Sequence, residues 1–188
     1  MTPGAAAFDA DVGFAEIIAQ SNACRMDQAA FRSFYQKTAP NLRAYIQRRC
    51  GSADIADDIF QETFLRFLRS APDLPSEAAM RGYLYRTAES SIADHWRRKR
   101  REREWTIASL FWREPPPPGI ADDMTRAFNQ LKPQQRLLLW LAYVEGLDHR
   151  EIAAAARVKE RSVRVLLFRA RKALEGILKR AGIGPEVA

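Results

Sequence analysis

Cysteine and histidine are scarce in this chain, and their placing excludes several kinds of chemistry. The two cysteines among 188 residues, Cys24 and Cys50, form neither a metal-ligand spacing nor a disulfide framework. They read as buried or incidental thiols. The two histidines, His95 and His149, lie far apart and outside any ligand motif. No glycine-rich phosphate loop, nucleophile elbow or zinc signature is present. Nothing in the sequence argues for catalysis. No apolar run approaches the roughly 20 residues of a transmembrane helix. The start, MTPGAAAFDADVGF, has acids where a secretion signal would be basic. The expected compartment is the cytoplasm, with no direct membrane insertion.

What is abundant is positive charge on a globular background. Thirty Lys and Arg face 23 Asp and Glu, for a net charge of +7, and the hydrophobic fraction is 47%. The isoelectric point is near 9.8. That balance favours a polyanionic partner, either nucleic acid or an acidic membrane surface.

The most informative stretch is His149 to Leu174, HREIAAAARVKERSVRVLLFRARKAL. Ile152, Ala153, Ala156, Val158 and Val163 fall where a short helix, a tight turn and a second helix would bury them together. The second helix carries Val163, Leu167, Ala170 and Leu174 as one apolar stripe. Its other face carries Lys159, Arg161, Arg164, Arg169, Arg171 and Lys172. A basic amphipathic helix alone is an ordinary solvated helix. Here, however, nine Lys and Arg stand against only Glu160 and Glu175 between Arg157 and Arg180, where a solvated face more often mixes signs. The pattern predicts a helix-turn-helix able to enter a major groove.

Helical periodicity dominates the rest, with no sustained alternation. Residues 1–12 read as a flexible tail and Phe14 to Ala19 as a short helix. Asp27 to Lys37 is the next helix, with Phe31, Phe34 and Tyr35 on one side. Pro40 interrupts, or opens a further helix that runs to about Cys50 and stops at Gly51. Asp54 to Arg69 presents Ile55, Ile59, Phe60, Phe64, Phe67 and Leu68 to a core. Its first half holds Asp54, Asp57, Asp58 and Glu62, which suit the helix dipole and would also suit a basic partner. After the loop Ala71–Pro75, Ser76 caps a long helix from about Glu77 to Glu104. Its inner side is Met80, Leu84, Ala88, Ser91, Ile92 and His95, and it ends in Arg97-Arg98-Lys99-Arg100-Arg101. The run Pro115–Pro118 cannot continue a helix and marks a domain boundary. Beyond it come a helix from Asp122 to Leu131 and another from Pro133 to Glu145, the latter with Leu137, Leu138, Leu141 and Val144 inward and a stop at Gly146. The expected fold is all-α, with two small helical domains joined by a proline-rich linker. The boundaries are 13–104, linker 105–121, 122–181, and a tail at 182–188.

Four stretches, in order, resemble the extracytoplasmic-function (ECF) type of sigma factor of bacterial RNA polymerase. Asp58-Ile59-Phe60-Gln61-Glu62-Thr63-Phe64 resembles that family's polymerase-docking helix. Gly82-Tyr83-Leu84-Tyr85-Arg86-Thr87-Ala88, continuing to Asp94 and the Arg97 run, resembles its promoter-melting, minus-ten-reading helix. Leu131-Lys132-Pro133 through Arg136 to Glu145-Gly146-Leu147 resembles the start of its C-terminal module. Glu151-Ile152-Ala153, Val163-Arg164 and Arg169-Ala170-Arg171 resemble its minus-thirty-five-reading helix-turn-helix. The likeness spans roughly Phe14 to Ala181.

The resemblance implies a promoter-specificity subunit with no catalytic chemistry, no cofactor and no small-molecule substrate. Its partners would be core RNA polymerase, promoter DNA and an anti-sigma factor. Polymerase docking would fall to Asp54, Asp57, Asp58, Gln61 and Glu62, whose carboxylates and amide can meet arginines. Minus-ten recognition would fall to Tyr83, Arg86 and Ser90, with Arg97, Arg98, Lys99, Arg100 and Arg101 on phosphates. Lys159, Arg161 and Ser162 would hold phosphates, and Arg164, Val165, Phe168 and Arg169 would face bases of the minus-thirty-five element. For Tyr83 a core role outweighs that of a platform, whereas Phe168 could equally be a packing residue.

Four positions depart from the family pattern. Ser90 stands where Asn is usual, Arg157 where the turn usually has Gly, and Val165 and Leu166 where Ser and Arg are frequent. The linker prolines replace a more flexible, acidic connection. Two other functions compete: a helix-turn-helix regulator that never joins polymerase, and a sigma-mimicking decoy for an anti-sigma factor. The acidic segment near Asp58 and the retained basic faces argue against each in turn.

Overall fold

The computed structural model describes residues 28–70, 74–104 and 123–183. The tail 1–12, the Phe14–Ala19 helix, Cys24, residues 71–73 of the loop, the linker 105–121 and residues 184–188 lie outside them. Among the described residues there are seven helices and no strand. They are α1 (Gln28–Cys50), α2 (Ala53–Ser70), α3 (Glu77–Glu104), α4 (Asp123–Gln130), α5 (Pro133–Tyr143), α6 (His149–Ala156) and α7 (Glu160–Arg180).

Helix α1 corrects one expectation. Pro40 neither interrupts nor opens a helix but lies inside a continuous one of 23 residues. Proline removes one hydrogen bond and crowds the preceding turn. Here it sits on the exposed side, while Phe31, Phe34, Thr38, Leu42, Tyr45 and Ile46 bury the opposite side. Packing of that face carries the helix through the weak point, and water can satisfy the freed carbonyl. Gly51 ends α1 as expected, at φ 71°, and its amide donates to the Gln47 carbonyl at 3.0 Å. The last residue of α1, Cys50, is buried, and burial pushes its thiol up to about 11.

The first three helices enclose an aromatic core. Phe34 stacks on Phe67 at 5.5 Å, and Phe31 and Phe60 meet Phe64 edge-on at 6.4 and 5.1 Å. Such pairs add about 0.5–1.5 kcal/mol each beyond area burial. The Ser76 hydroxyl caps α3, accepting from the Ala79 amide at 3.2 Å.

The second module is built around α5, whose first residue is Pro133. The Lys132 amide before it donates to the Gln135 side chain at 3.2 Å. Gly146, at φ 66°, follows the end of this helix. Leu137, Leu138 and Leu141 are buried as expected, but Val144 is 44% exposed. It lies past the last helical residue, Tyr143, where the periodicity no longer aims it inward. Asp148 opens α6 with reciprocal bonds: its carboxylate accepts from the Glu151 amide at 2.8 Å, and Glu151 accepts from the Asp148 amide at 2.9 Å. Ile152, Ala153, Val163, Leu167 and Ala170 are buried, with Ala156, Val158 and Leu174 partly so. The turn between α6 and α7 is made by Arg157 at φ 56°, ψ 46°, a left-handed conformation.

The two modules are docked. Helix α3 packs against α2 on one side and against α6 on the other, and buried residues form one continuous cluster from Phe31 to Ile177. A Cβ on Gly82 would overlap the Ala155 carbonyl, so the α3 and α6 backbones approach as only glycine permits. Tyr45 meets Trp140 edge-on at 5.0 Å across the seam, and the Trp140 indole donates to the Tyr85 hydroxyl at 3.0 Å. Tyr85 donates to Glu145 at 2.5 Å, and Arg81 donates to the same carboxylate at 3.3 Å. Arg49 donates to the Asn129 side-chain oxygen at 3.1 Å, while Asn129 donates back to the Arg48 carbonyl at 2.8 Å.

Candidate nucleic-acid interface

Helix α7 presents its cationic side outward. Lys159, Arg161, Arg164 and Arg169 are exposed and Ser162 is half-buried. The apolar stripe Val163–Leu167–Ala170 anchors the opposite side. Between the cations stand Val165 and Phe168, 49% and 53% exposed. Water gains nothing from an outward phenylalanine, whereas a groove edge with thymine methyls would. The start of α7 and the start of α6 form an open recess lined by His149, Lys159, Glu160, Arg161 and Arg164. Four of the five are basic or histidine, which suits a phosphate-bearing strand. Arg171 leans across to donate to the Tyr143 hydroxyl at 3.1 Å, so it braces the module's edge.

The basic end of α3 is a second cationic surface. Arg97, Arg98, Arg100 and Arg101 are exposed. Arg97 pairs with Asp94, and Lys99 lies 5.1 Å over the Trp96 ring. Further up the helix the predicted trio separates. Ser90 is exposed, whereas Tyr83 is half-buried with its ring 6.0 Å from Phe67. Arg86 is half-buried and donates to the Ala155 carbonyl of α6. These three therefore do not form one open surface in this arrangement.

The acidic face of α2 divides in the same way. Asp54, Asp58 and Gln61 are exposed. Asp57 is held by Arg43 at 2.6 Å. Glu62 is held by Arg66 at 2.6 Å, and Arg66 also reaches Asp94 at 3.5 Å. The spacing of 54, 58 and 61 places the open groups along one side of the helix.

Sequence reasoning missed the groups at the module seam. Arg136 is only 4% exposed, and its guanidinium forks onto Glu89. Burial alone would raise the Glu89 carboxyl. The hydrogen bond from Arg136, the charge of Arg49 and the Tyr45 hydroxyl outweigh it and hold the carboxyl below its usual value. Burial and the neighbouring Glu89 carboxylate push the Tyr45 hydroxyl up, and burial and Glu145 do the same to Tyr85. Both stay neutral donors. One sequence signal was available: Gly82 inside a helix costs about 1 kcal/mol relative to Ala, so its presence points to a close neighbour.

The geometry defines an all-helical protein of two modules, one ending in a helix-turn-helix whose second helix turns a basic side outward. Comparison with known proteins agrees. Sigma-70 region 2 matches residues 34–102, and sigma-70 region 4 matches residues 121–174. The ECF RNA polymerase sigma factor SigF of Caulobacter vibrioides is 30% identical over 159 residues, covering 82% of this chain and 89% of that one. Two solved structures share the fold. One is the sigma factor RpoE of Bartonella quintana in complex with the anti-sigma factor NepR. It has a TM-score of 0.53 and 21% identity, over 79% of this chain and 96% of that one. The other is CnrH in complex with the cytosolic domain of CnrY. Its TM-score is 0.54 and its identity 20%, over 88% of this chain and 96% of that one. The chain belongs to the ECF RNA polymerase sigma factors. It is therefore a sigma factor, the subunit that directs core RNA polymerase to promoter DNA.

Proposed function

We propose that the two modules divide the work of promoter recognition. Residues 13–104 dock on core polymerase and read and melt the minus-ten element. Residues 122–181 read the minus-thirty-five element, and 105–121 tether the two. Asp58 and Gln61 supply the open part of the docking face, with Asp54, Asp57 and Glu62 around them. Arg97 to Arg101 track the phosphates of the opened strand, and Tyr83, Arg86 and Ser90 serve minus-ten recognition. Arg164, Val165, Phe168 and Arg169 face bases, while Lys159, Arg161 and Ser162 hold phosphates.

The observation that carries the reading is the outward pairing of Phe168 and Val165 with Arg164 and Arg169 on an anchored helix. A solvated helix has no use for it. The chain works in the cytoplasm as a binding subunit, without catalytic chemistry of its own. Among the described residues no helix is long and apolar enough to cross a membrane. An anti-sigma factor holds the chain inactive until a signal arrives. The bound partner named for RpoE supports this part of the reading. Run-off transcription with core polymerase on fragmented genomic DNA tests the whole. New start sites are expected when the chain is added, and their absence on every template would end the proposal.

A further inference from the structure

A chain of ion pairs crosses the surface from α2 to the basic end of α3. Glu62 accepts a hydrogen bond from Arg66 Nε at 2.6 Å. The same guanidinium reaches Asp94 of α3 through Nη1 at 3.5 Å. Asp94 in turn pairs with Arg97. We propose that this chain is an exchange relay. Arg66 and Asp94 are positioning residues, and a partner cation that takes Glu62 on α2 thereby frees Arg97 on α3 for a strand phosphate. The inference rests on the roles proposed above for Glu62 in docking and Arg97 in strand binding.

The geometry supplies each step. Glu62 stands one helical turn after Asp58, which is exposed. An arginine that meets Asp58 and Gln61 is therefore within reach of Glu62 as well. Once Glu62 is taken, Arg66 loses its acceptor and is repelled by the incoming charge. The other carboxylate paired with Arg66 is Asp94. Asp94 already shares itself between Arg66 and Arg97, so a firmer hold by Arg66 weakens the hold on Arg97. Arg97 opens the run Arg97–Arg101 and is exposed, so a phosphate reaches it once it is released.

A static brace between two helices would place its shortest contact across them. Here the cross-helix pair, Arg66 with Asp94, is the long one, and the short contacts lie within each helix. That is the arrangement of a shared group held between two claimants. None of the four side chains is buried, so each pair is weak and can exchange without a large desolvation cost. The helices beneath need not move. Ile59, Phe64 and Phe67 of α2 and Leu84, Ala88 and Ile92 of α3 are buried between and around them.

Glu62→Gln in the full chain removes the acceptor charge as a partner would. Binding of a fluorescent oligothymidine strand, read by anisotropy, should tighten about threefold, the scale of one exposed ion pair. Asp94→Asn should tighten it by a similar factor, and Glu62→Gln should then add nothing. In an Arg66→Met background, where the relay is cut, Glu62→Gln should have no effect. A long-range charge effect would instead act alike in every background. Nitrogen-15 spectra give a second readout: the Arg97 Nε–H resonance should move with Glu62→Gln when Arg66 is present and stay put when it is Met. Far-ultraviolet circular dichroism checks that each variant folds. An equal effect of Glu62→Gln in all three backgrounds overturns the relay, and so does an Arg97 resonance that never moves. Binding of Glu62→Gln to core polymerase is scored separately. No loss there would remove the docking role of Glu62, while the mutant cycle still reports the exchange.

Discussion

Arg136 holds Glu89 with two hydrogen bonds, 3.2 Å from Nε to one carboxylate oxygen and 2.8 Å from Nη2 to the other. The pair joins α5 to α3 and ties the two modules at a point where both side chains are largely out of water. The same guanidinium also donates to the Leu131 and Asn129 carbonyls. Arg136 is thus fixed within its own module, and Glu89 is held in the other by the Tyr45 hydroxyl at 2.5 Å and by Arg49 at 3.4 Å.

Acid should loosen this tie. The Glu89 carboxyl titrates below its ordinary 4.5 in the docked chain. Its contribution is therefore fully present above the unfolded value and lost as pH falls through the folded one. Glu89→Gln should cost ~1–3 kcal/mol of stability near neutrality. It should also flatten the decline below pH ~4.5. Urea unfolding of both proteins across the acid range reads the difference; parallel curves would show that Glu89 is not the titrating group.

The turn between α6 and α7 is strained at one residue. Arg157 is the one non-glycine residue with positive φ among the described residues. Arg157→Gly should stabilise the chain by about 1 kcal/mol, since glycine enters the left-handed region without the Cβ clash. The melting temperature should rise by a few degrees. A fall instead would mean that the Arg157 side chain contributes more than its backbone costs.

On α7 the proposed roles separate by chemistry. Arg169→Ala should cost ~1–3 kcal/mol on the cognate upstream element and relax preference at one position. Arg161→Ala should weaken binding evenly across sequences and lower the salt slope by about 1. Titrations at several salt concentrations on a small library of duplexes distinguish them. Identical behaviour of the two variants would refute the assignment.

Docking on polymerase is best probed at Asp58, which is exposed, rather than at Glu62, which braces Arg66. Asp58→Lys should weaken binding to core polymerase about tenfold or more through like-charge repulsion. Duplex binding by the second module should be untouched. Equal loss of both would indicate misfolding.

Much of this architecture is legible in the sequence, because local signals end its helices. Gly51, Ser76, Pro133 and Gly146 each act where their chemistry says they should. Pro40 misleads, since tertiary burial of Phe34, Leu42 and Tyr45 overrides a local breaker. The seam is the larger omission. Periodicity finds one apolar stripe on α3, but α3 has two buried sides, and the second is made of Gly82, Tyr85, Arg86 and Glu89. Glycine, a phenol and charges do not read as a stripe. Arg136, likewise, is a residue type that patterning assigns to solvent. The residues of α7 proposed to face DNA are legible because they point outward from their own module. The packed setting of Arg86 is not legible, because it depends on a partner helix 69 positions away.

Cys50 closes α1 in the core, with its thiol at about 11. At neutral pH it carries almost no thiolate, the form that attacks peroxides and disulfides. Oxidants should pass this residue by, and alkylating reagents should label it only as fast as the fold opens. Through Cys50, then, no redox signal enters the chain while its core stays closed.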